Sequence, residues 1–419
     1  MASKIPDTVC SAPWSHFAIS SHPDGFITMP CCRFRMGSDS RFRNDKFQKP
    51  NHAVSKDGYF EDIRQRMLAG EKLSECEKCW REERDRGYSM RKTMIKQTPI
   101  EKISQNTSFE LKYLEVFFGN LCNLSCRMCD ITQSSQWANL YNNAFVPNNI
   151  QDTSVVPDDF LEADGRAKTQ PISFDNTFLE GIDLSKLTEV KILGGEPMMT
   201  PDHVTFLDQL MFQSNDPSAI KLVYHTNGTK IPTQKVVDYW KQMEKIEIVF
   251  SIDGYGKTNE YQRINSQWQN IVDNIKWYSN LGINLHMRIH SVLSLLTIWT
   301  VDNLCEWAET EFKKIVNWPT NINGLFNPQM KTLTFDFVSK PSYLDLTIMP
   351  LELKEKCSDY INSCRFLDHT TKNFIVAHMN SNSYNEKNWE DFWNKMTAID
   401  KFTKQNLSDI APQLEEYRP

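Results

Sequence analysis

An α/β fold with parallel strands is what this chain predicts, and three observations carry that expectation. Strand-like runs alternate with helical patterns from Tyr113 onward, which is the signature of parallel β/α units. Several strand runs end in polar or glycine-containing turns: Gly194-Gly195-Glu196-Pro197, Thr226-Asn227-Gly228-Thr229 and Ser251-Ile252-Asp253-Gly254. The chain has 419 residues, 40% hydrophobic and 24% charged, which suits a globular protein with a large core and more than one domain.

Taken in order, the first hundred residues are cysteine-rich, with Cys10, Cys31, Cys32, Cys76 and Cys79. The strand runs are Tyr113–Phe118, Glu189–Leu193, Lys221–His225, Ile246–Ile252, Asn284–Ser291 and Thr332–Val338, each short and rich in β-branched or aromatic residues. Helical periodicity covers Val204–Phe212, Thr233–Met243, Trp268–Leu281 and Val301–Val316. A polar insertion near residues 142–175 is either a loop or a small lid. Beyond Ser339 the pattern is helical and polar. There Trp389 and Trp393 are expected to anchor a terminal helix, and Cys305, Cys357 and Cys364 to be buried thiols.

Charge and hydropathy exclude some function classes. A net charge of −6 argues against general nucleic-acid or membrane affinity, and no apolar run is long enough to span a bilayer. Residues Met1 to Pro6 lack a signal-peptide core, and eleven cysteines then point to metal ligation in a reducing, cytoplasmic compartment. Arg33, Arg35, Arg41, Arg43, Lys46, Arg81, Arg84, Arg86, Arg91 and Lys92 form a local basic surface: a solvated face, or a docking site for an anionic partner.

The most specific chemistry lies in Cys122-Asn123-Leu124-Ser125-Cys126-Arg127-Met128-Cys129, a C-x3-C-x2-C loop with no fourth cysteine nearby. Three thiolates hold three corners of a four-iron cube and leave the fourth iron open, which suggests chemistry at iron. The alternatives are a structural zinc site, which prefers four ligands, and three unrelated buried thiols.

This loop resembles the signature of the radical S-adenosylmethionine (radical SAM) superfamily. The resemblance implies a partial (β/α)6 TIM-like barrel over residues 107–340 and an open [4Fe-4S] cluster on Cys122, Cys126 and Cys129. It also implies reductive cleavage of SAM to a 5′-deoxyadenosyl radical that abstracts hydrogen from a substrate, with an electron donor such as flavodoxin or ferredoxin. Gly194, Gly195, Glu196 and Pro197 are similar to the superfamily's motif for the SAM amino group. Asn227, Ser251 and Arg263 are the implied contacts to the SAM ribose and carboxylate.

Residues 1–106 resemble the SPASM/twitch auxiliary-cluster module, which in that family usually follows the barrel. By that likeness Cys10, Cys31, Cys76 and Cys79 hold a second [4Fe-4S] cluster, with Cys32 as the alternative to Cys31. A zinc ribbon uses the same four ligands. The family analogy points to oxidative modification of a peptide or protein. A small molecule or carbohydrate is the rival substrate, and a non-catalytic zinc or iron–sulfur interaction module the rival of another class. Residues 341–419 are expected as a helical carboxyl-terminal region.

One strand bears on the cavity. In Leu285-His286-Met287-Arg288-Ile289-His290, alternation puts His286, Arg288 and His290 on one face. Glu115 on the first strand and Thr332, Thr334 and Asp336 on the last repeat the pattern. These residues are expected to line a substrate or SAM cavity, or else an exposed edge.

Overall fold

The computed structural model describes residues 5–23, 25–37, 40–103, 107–172, 174, 176–317 and 331–419. Parts of three predicted regions therefore lie outside the described residues: 1–4, 24, 38, 39 and 104–106 of the amino-terminal module, 173 and 175 of the insertion, and 318–330 of the barrel. The fold is α/β, with an eight-stranded, mostly parallel sheet and a helical carboxyl-terminal region.

The chain divides into two compact units. The first comprises Met1–Gly119, Ile172–Tyr224 and Thr233–Ile246. Its strands are β1 (His16–His22), β2 (Gly25–Met29), β3 (Tyr113–Phe118), β4 (Glu189–Gly194) and β5 (Lys221–Thr226). β1 and β2 form an antiparallel hairpin in which His22 faces Gly25. β1 then pairs in parallel with β3, His16 opposite Tyr113, and β3 pairs in parallel with β4. The hairpin was not foreseen: His16–His22 mixes polar and apolar residues without strict alternation, and only its pairing with β3 makes it a sheet strand.

The core of this unit is built as the sequence pattern requires. Leu114, Val116, Val190, Ile192 and Leu222 are fully buried. The helix Pro201–Gln213 adds Phe206, Leu207 and Leu210, spaced to share one face. His203 on that helix is enclosed, with Nε2 2.9 Å from the Tyr224 hydroxyl. Burial lowers its pKa to about 3. Burial likewise lowers His16 to about 4, against the pull of Glu115.

Both histidines are neutral in the fold and take up protons on unfolding. Stability is therefore expected to fall as pH drops below 6.5 toward these lowered values, by about 1.4 kcal/mol per pH unit for each. Denaturant titrations at pH 7 and pH 5 check this. His203→Phe removes one titrating group and should flatten the slope by one proton; an unchanged slope counts against the assignment.

The second unit comprises Asn120–Pro171, His225–Pro232 and Glu247–Pro419. It contains β7 (Leu285–Leu293), β8 (Leu333–Phe337) and nearly all of β6 (Ile246–Ser251). β7 and β8 are parallel, with Ile289 opposite Leu333. The helix Trp268–Ser279 buries Ile271, Ile275 and Tyr278, and Tyr278 packs edge-on against Phe250.

The insertion is ordered over its described part in this unit. Tyr141, Phe145, Val155, Val156, Phe160 and Ala167 are buried, and the Asn142 side chain exchanges hydrogen bonds with the Ala167 backbone. Lys395 of the helix Glu386–Thr403 pairs with Asp152 at 2.9 Å, both nearly buried. Trp389 and Trp393 are buried on that same helix, and Cys305, Cys357 and Cys364 are buried thiols outside any disulfide.

Candidate radical SAM centre

The cysteine loop lies in the second unit. Cys122 and Cys126 are buried and Cys129 is half-buried, with Leu124 packed among them. The backbone of the loop is tied to the end of the helix Lys257–Gln262 and to the residues just after it. Ser125 N donates to Ile264 O at 3.3 Å, and Arg127 N donates to Gln262 O at 2.8 Å. Trp137 Nε1 donates to Cys126 O at 2.9 Å, and Leu124 N lies 3.5 Å from Cys122 Sγ.

Two side chains named by the sequence direct N–H groups at sulfur. Asn227 Nδ2 is 3.8 Å from Cys122 Sγ, and Arg263 Nη1 is 3.7 Å from Cys126 Sγ. Asn227 is fixed in turn, since its Oδ1 accepts from Thr229 N at 2.9 Å and from the Thr229 hydroxyl at 2.6 Å. Arg263 Nε pairs with Asp253 at 2.8 Å. Burial opposes the charge on Arg263, but Asp253 and the sulfurs of Cys126 and Cys129 outweigh it and hold its proton firmly. Within the triplet, a hydrogen bond from Cys129 lowers the Cys126 pKa against its burial, and Arg263 lowers it further. Nitrogen donors toward thiolate sulfur suit an iron–sulfur cluster, whose sulfurs accept such bonds.

Asp253 was not assigned a role from the sequence, although it stands in the same turn as Ser251. Its carboxylate is fully buried and also accepts from Val292 N at 2.9 Å. A carboxylate at the end of an apolar strand, twelve residues from Ser251 to a downstream arginine, was the available signal. Ser251 itself closes β6 and is half-buried.

The Gly194-Gly195-Glu196-Pro197 turn belongs to the first unit and ends β4. Gly194 has φ 140°, and a Cβ there would come 2.7 Å from Phe118 O, so only glycine fits beside β3. Gly195 N donates to Gly119 O at 3.1 Å. The Glu196 carboxylate is buried and accepts from Met198 N at 3.2 Å, which orients it above the short helix Pro197–Met199.

The cavity candidates divide between the units. In the second, β6, β7 and β8 carry a connected polar face: Arg288 Nε donates to Glu247, and Arg288 Nη1 lies 3.3 Å from Thr334 Oγ1. His290 Nδ1 is 3.1 Å from the same hydroxyl, and His290 Nε2 is 3.9 Å from Asp336. The rings of His225 and His290 approach at 6.2 Å, and His286 is buried on β7. Glu247 was missed from the sequence; a lone acid inside an apolar strand was its only mark.

In the first unit, Glu115 is fully buried on β3. Lys191 stands 3.5 Å away, His16 3.6 Å, the Tyr113 hydroxyl 3.3 Å, and Cys32 N donates to it at 3.2 Å. Burial alone would raise this carboxyl, but Lys191, His16 and Cys32 hold it below the usual carboxylate value.

The amino-terminal cysteines also gather in the first unit. Cys10 and Cys79 are buried, and Cys31, Cys32 and Cys76 half-buried. Burial raises the Cys31 thiol far above its ordinary value, and the neighbouring sulfurs of Cys32, Cys10, Cys76 and Cys79 add to the effect. Burial raises Cys10 to about 12, and Cys32 to about 12 with Glu115 contributing. Such thiols give up protons when metal binds. Among the described residues no three His, Cys, Asp or Glu side chains converge on a single-ion position. A cubane asks for something else, since each thiolate takes a different iron.

Much of the basic surface is answered locally. Arg33 pairs with Glu82 at 3.7 Å, Arg41 with Asp62 at 2.8 Å, Arg84 with Glu77 at 3.0 Å and Arg91 with Glu83 at 2.6 Å. The Arg86 side chain lies outside the described ones.

Residues 116–310 match the family described as the Radical SAM superfamily. No curated protein matches the chain. Among solved structures, Streptococcus suis SuiB is similar at 13% identity and TM-score 0.35, covering 88% of this chain and 70% of that one. SuiB bound to precursor peptide SuiA is similar at 12% identity and TM-score 0.33, covering 82% of this chain and 69% of that one. Native anSMEcpe with bound AdoMet is similar at 14% identity and TM-score 0.38, covering 66% of this chain and 64% of that one. The family match spans the cysteine loop, the turn after β4 and the Asn227 and Arg263 segments, so residues 116–310 carry a radical SAM domain.

Proposed function

We propose that this enzyme uses SAM and an open [4Fe-4S] cluster on Cys122, Cys126 and Cys129 to oxidise a peptide or protein substrate. The observation that carries the reading is the buried three-cysteine loop with Asn227 and Arg263 donating toward its sulfurs. When bound, the cluster and SAM together supply a 5′-deoxyadenosyl radical able to abstract hydrogen. The chain's own residues do the rest. Glu196 accepts hydrogen bonds from the methionine ammonium of SAM, and Gly194 and Gly195 let backbone approach it. Arg263 and Ser251 receive the SAM carboxylate, with Arg263 steadied by Asp253, and Asn227 is assigned to the SAM ribose or carboxylate.

The polar face of Glu247, Arg288, Thr334, His290 and Asp336 is assigned to the substrate. Its linked charges offset one another, so it can hold polar peptide groups without stranding a buried charge. Cys10, Cys31, Cys76 and Cys79 are assigned to a second cluster, and Cys32 is left to Glu115, which its backbone N–H already engages. When bound there, such a cluster would supply a one-electron acceptor. The twitch-like cysteine pattern supports a peptide or protein substrate, and a flavodoxin or ferredoxin is the expected reductant.

The test is 5′-deoxyadenosine formation from SAM by anaerobically reconstituted protein with a strong reductant, followed by mass spectrometry. Product is expected from the wild type and none from the Cys122/Cys126/Cys129 triple Ala variant. Equal product from both overturns the reading, as does no product from iron-loaded wild type supplied with candidate peptides. A peptide substrate is expected to lose two hydrogens.

A further inference from the structure

We propose that the carboxyl-terminal helix Glu386–Thr403 and the turn after it are a positioning clamp for the cysteine loop, acting through Asp400, Gln405 and Arg127. The inference rests on the reading of Cys122, Cys126 and Cys129 as cluster ligands. It assigns to the carboxyl-terminal region, whose sequence carries no cofactor motif, a direct part in building the metal centre.

Arg127 directly follows Cys126, and its guanidinium has no exposed surface. Nε donates to Tyr261 O at 2.9 Å. Nη2 donates to Asp400 Oδ1 at 2.6 Å and to Gln405 Oε1 at 3.1 Å, while Nη1 lies 3.6 Å from Met396 Sδ. The guanidinium also sits over the Tyr261 ring, 3.8 Å from its centre. Every polar edge of the group is therefore met by the clamp or by Tyr261.

The clamp reaches the same place by a second route. Asp400 accepts from the Tyr261 hydroxyl at 2.9 Å and from Leu407 N at 2.9 Å, which folds the turn after the helix onto it. Gln405 Nε2 donates to Glu260 O at 3.3 Å. The stretch from Glu260 to Ile264 thus lies between the carboxyl-terminal turn and the cysteine loop. The loop backbone is bonded to that stretch at Gln262 and Ile264, and Arg263 within it donates to Cys126 Sγ.

A buried guanidinium left without its carboxylate is strongly unfavourable, so the Arg127 rotamer and the adjoining Cys126 depend on Asp400. Three sulfurs must be presented together for a cluster to bind, and a short loop keeps that arrangement only if its supports are rigid. A helix that merely covered the site would affect folding alone. A positioning helix also governs how the folded protein holds its iron.

Three variants in the full chain test this: Asp400→Ala, Asp400→Glu and Gln405→Ala. Gln405→Ala keeps the buried ion pair and should fold even if Asp400→Ala does not. After anaerobic reconstitution, iron loss to a chelator is followed, and the reduced cluster's EPR spectrum is recorded with and without SAM. The iron assigned to the loop is the difference from the Cys122/Cys126/Cys129 triple Ala protein.

Asp400→Ala is expected to lose loop iron about tenfold faster, on the scale that groups supporting metal ligands command. Its EPR response to SAM should be weakened. Gln405→Ala should change both in the same direction by less, and Asp400→Glu should restore most of the wild-type behaviour. Folded Asp400→Ala or Gln405→Ala protein with wild-type iron retention and spectra overturns the clamp. Wild type whose iron does not depend on the three cysteines overturns the cluster reading first, and the clamp with it.

Discussion

Cys126→Ala is expected to abolish SAM cleavage while the iron proposed for the amino-terminal cysteines stays bound. Cys126 is the sulfur with the most support: it is buried, Arg263 donates to it, Cys129 bonds to it, and its own carbonyl accepts from Trp137. Removing it leaves a loop with two thiolates and an arginine facing a missing anion. The loss should exceed the roughly 100-fold that changes beyond the ligands themselves produce. The 5′-deoxyadenosine assay measures the loss, and iron per chain measures what remains. Cleavage retained within tenfold of wild type would remove Cys126 from the proposed ligand set.

Asp253→Ala is expected to carry the largest stability cost, about 3–5 kcal/mol, because it strands the buried Arg263 charge. It also deprives Val292 N of its acceptor. The effect is separable from cofactor binding, since denaturant unfolding of metal-free protein reads it directly. The double variant Asp253→Ala/Arg263→Met should recover most of the lost stability, as an apolar replacement of both partners no longer leaves a charge in the core. It should not recover SAM binding, for which Arg263 is proposed. A single-variant loss below about 1 kcal/mol would show that Arg263 finds another partner.

These two experiments interrogate residues of different legibility. The cysteine triplet needs only spacing: three thiols within eight positions carry their chemistry in one local segment. The Gly194-Gly195 turn is readable for a similar reason, because only glycine takes that φ against a neighbouring strand. Alternation along β7 put His286, Arg288 and His290 on one face before any neighbour was known. In each case the information is periodic or contiguous, and short-range sterics are enough to use it.

Asp253, Glu247 and Asp400 were beyond that reach. An acid in a strand end or on a polar helix has the same local propensity whether it meets solvent or a buried arginine, and only long-range packing decides which. Asp400 meets Arg127 across more than half of the chain, and nothing near either residue marks the pair. The insertion was undecided for the same reason, since its order comes from burying Tyr141, Phe145 and Phe160 and from Lys395 on a distant helix.

By itself, then, the amino-acid sequence determined the α/β pattern, the cysteine loop and the glycine turn, because those features are set within a few residues by spacing and backbone sterics. The tertiary structure alone decided that β1 joins the sheet beside β3, that Arg263 is answered by Asp253, and that the carboxyl-terminal helix grips the loop. Those outcomes depend on which buried charges and unpaired strand edges meet, and their partners are brought together only when the chain folds.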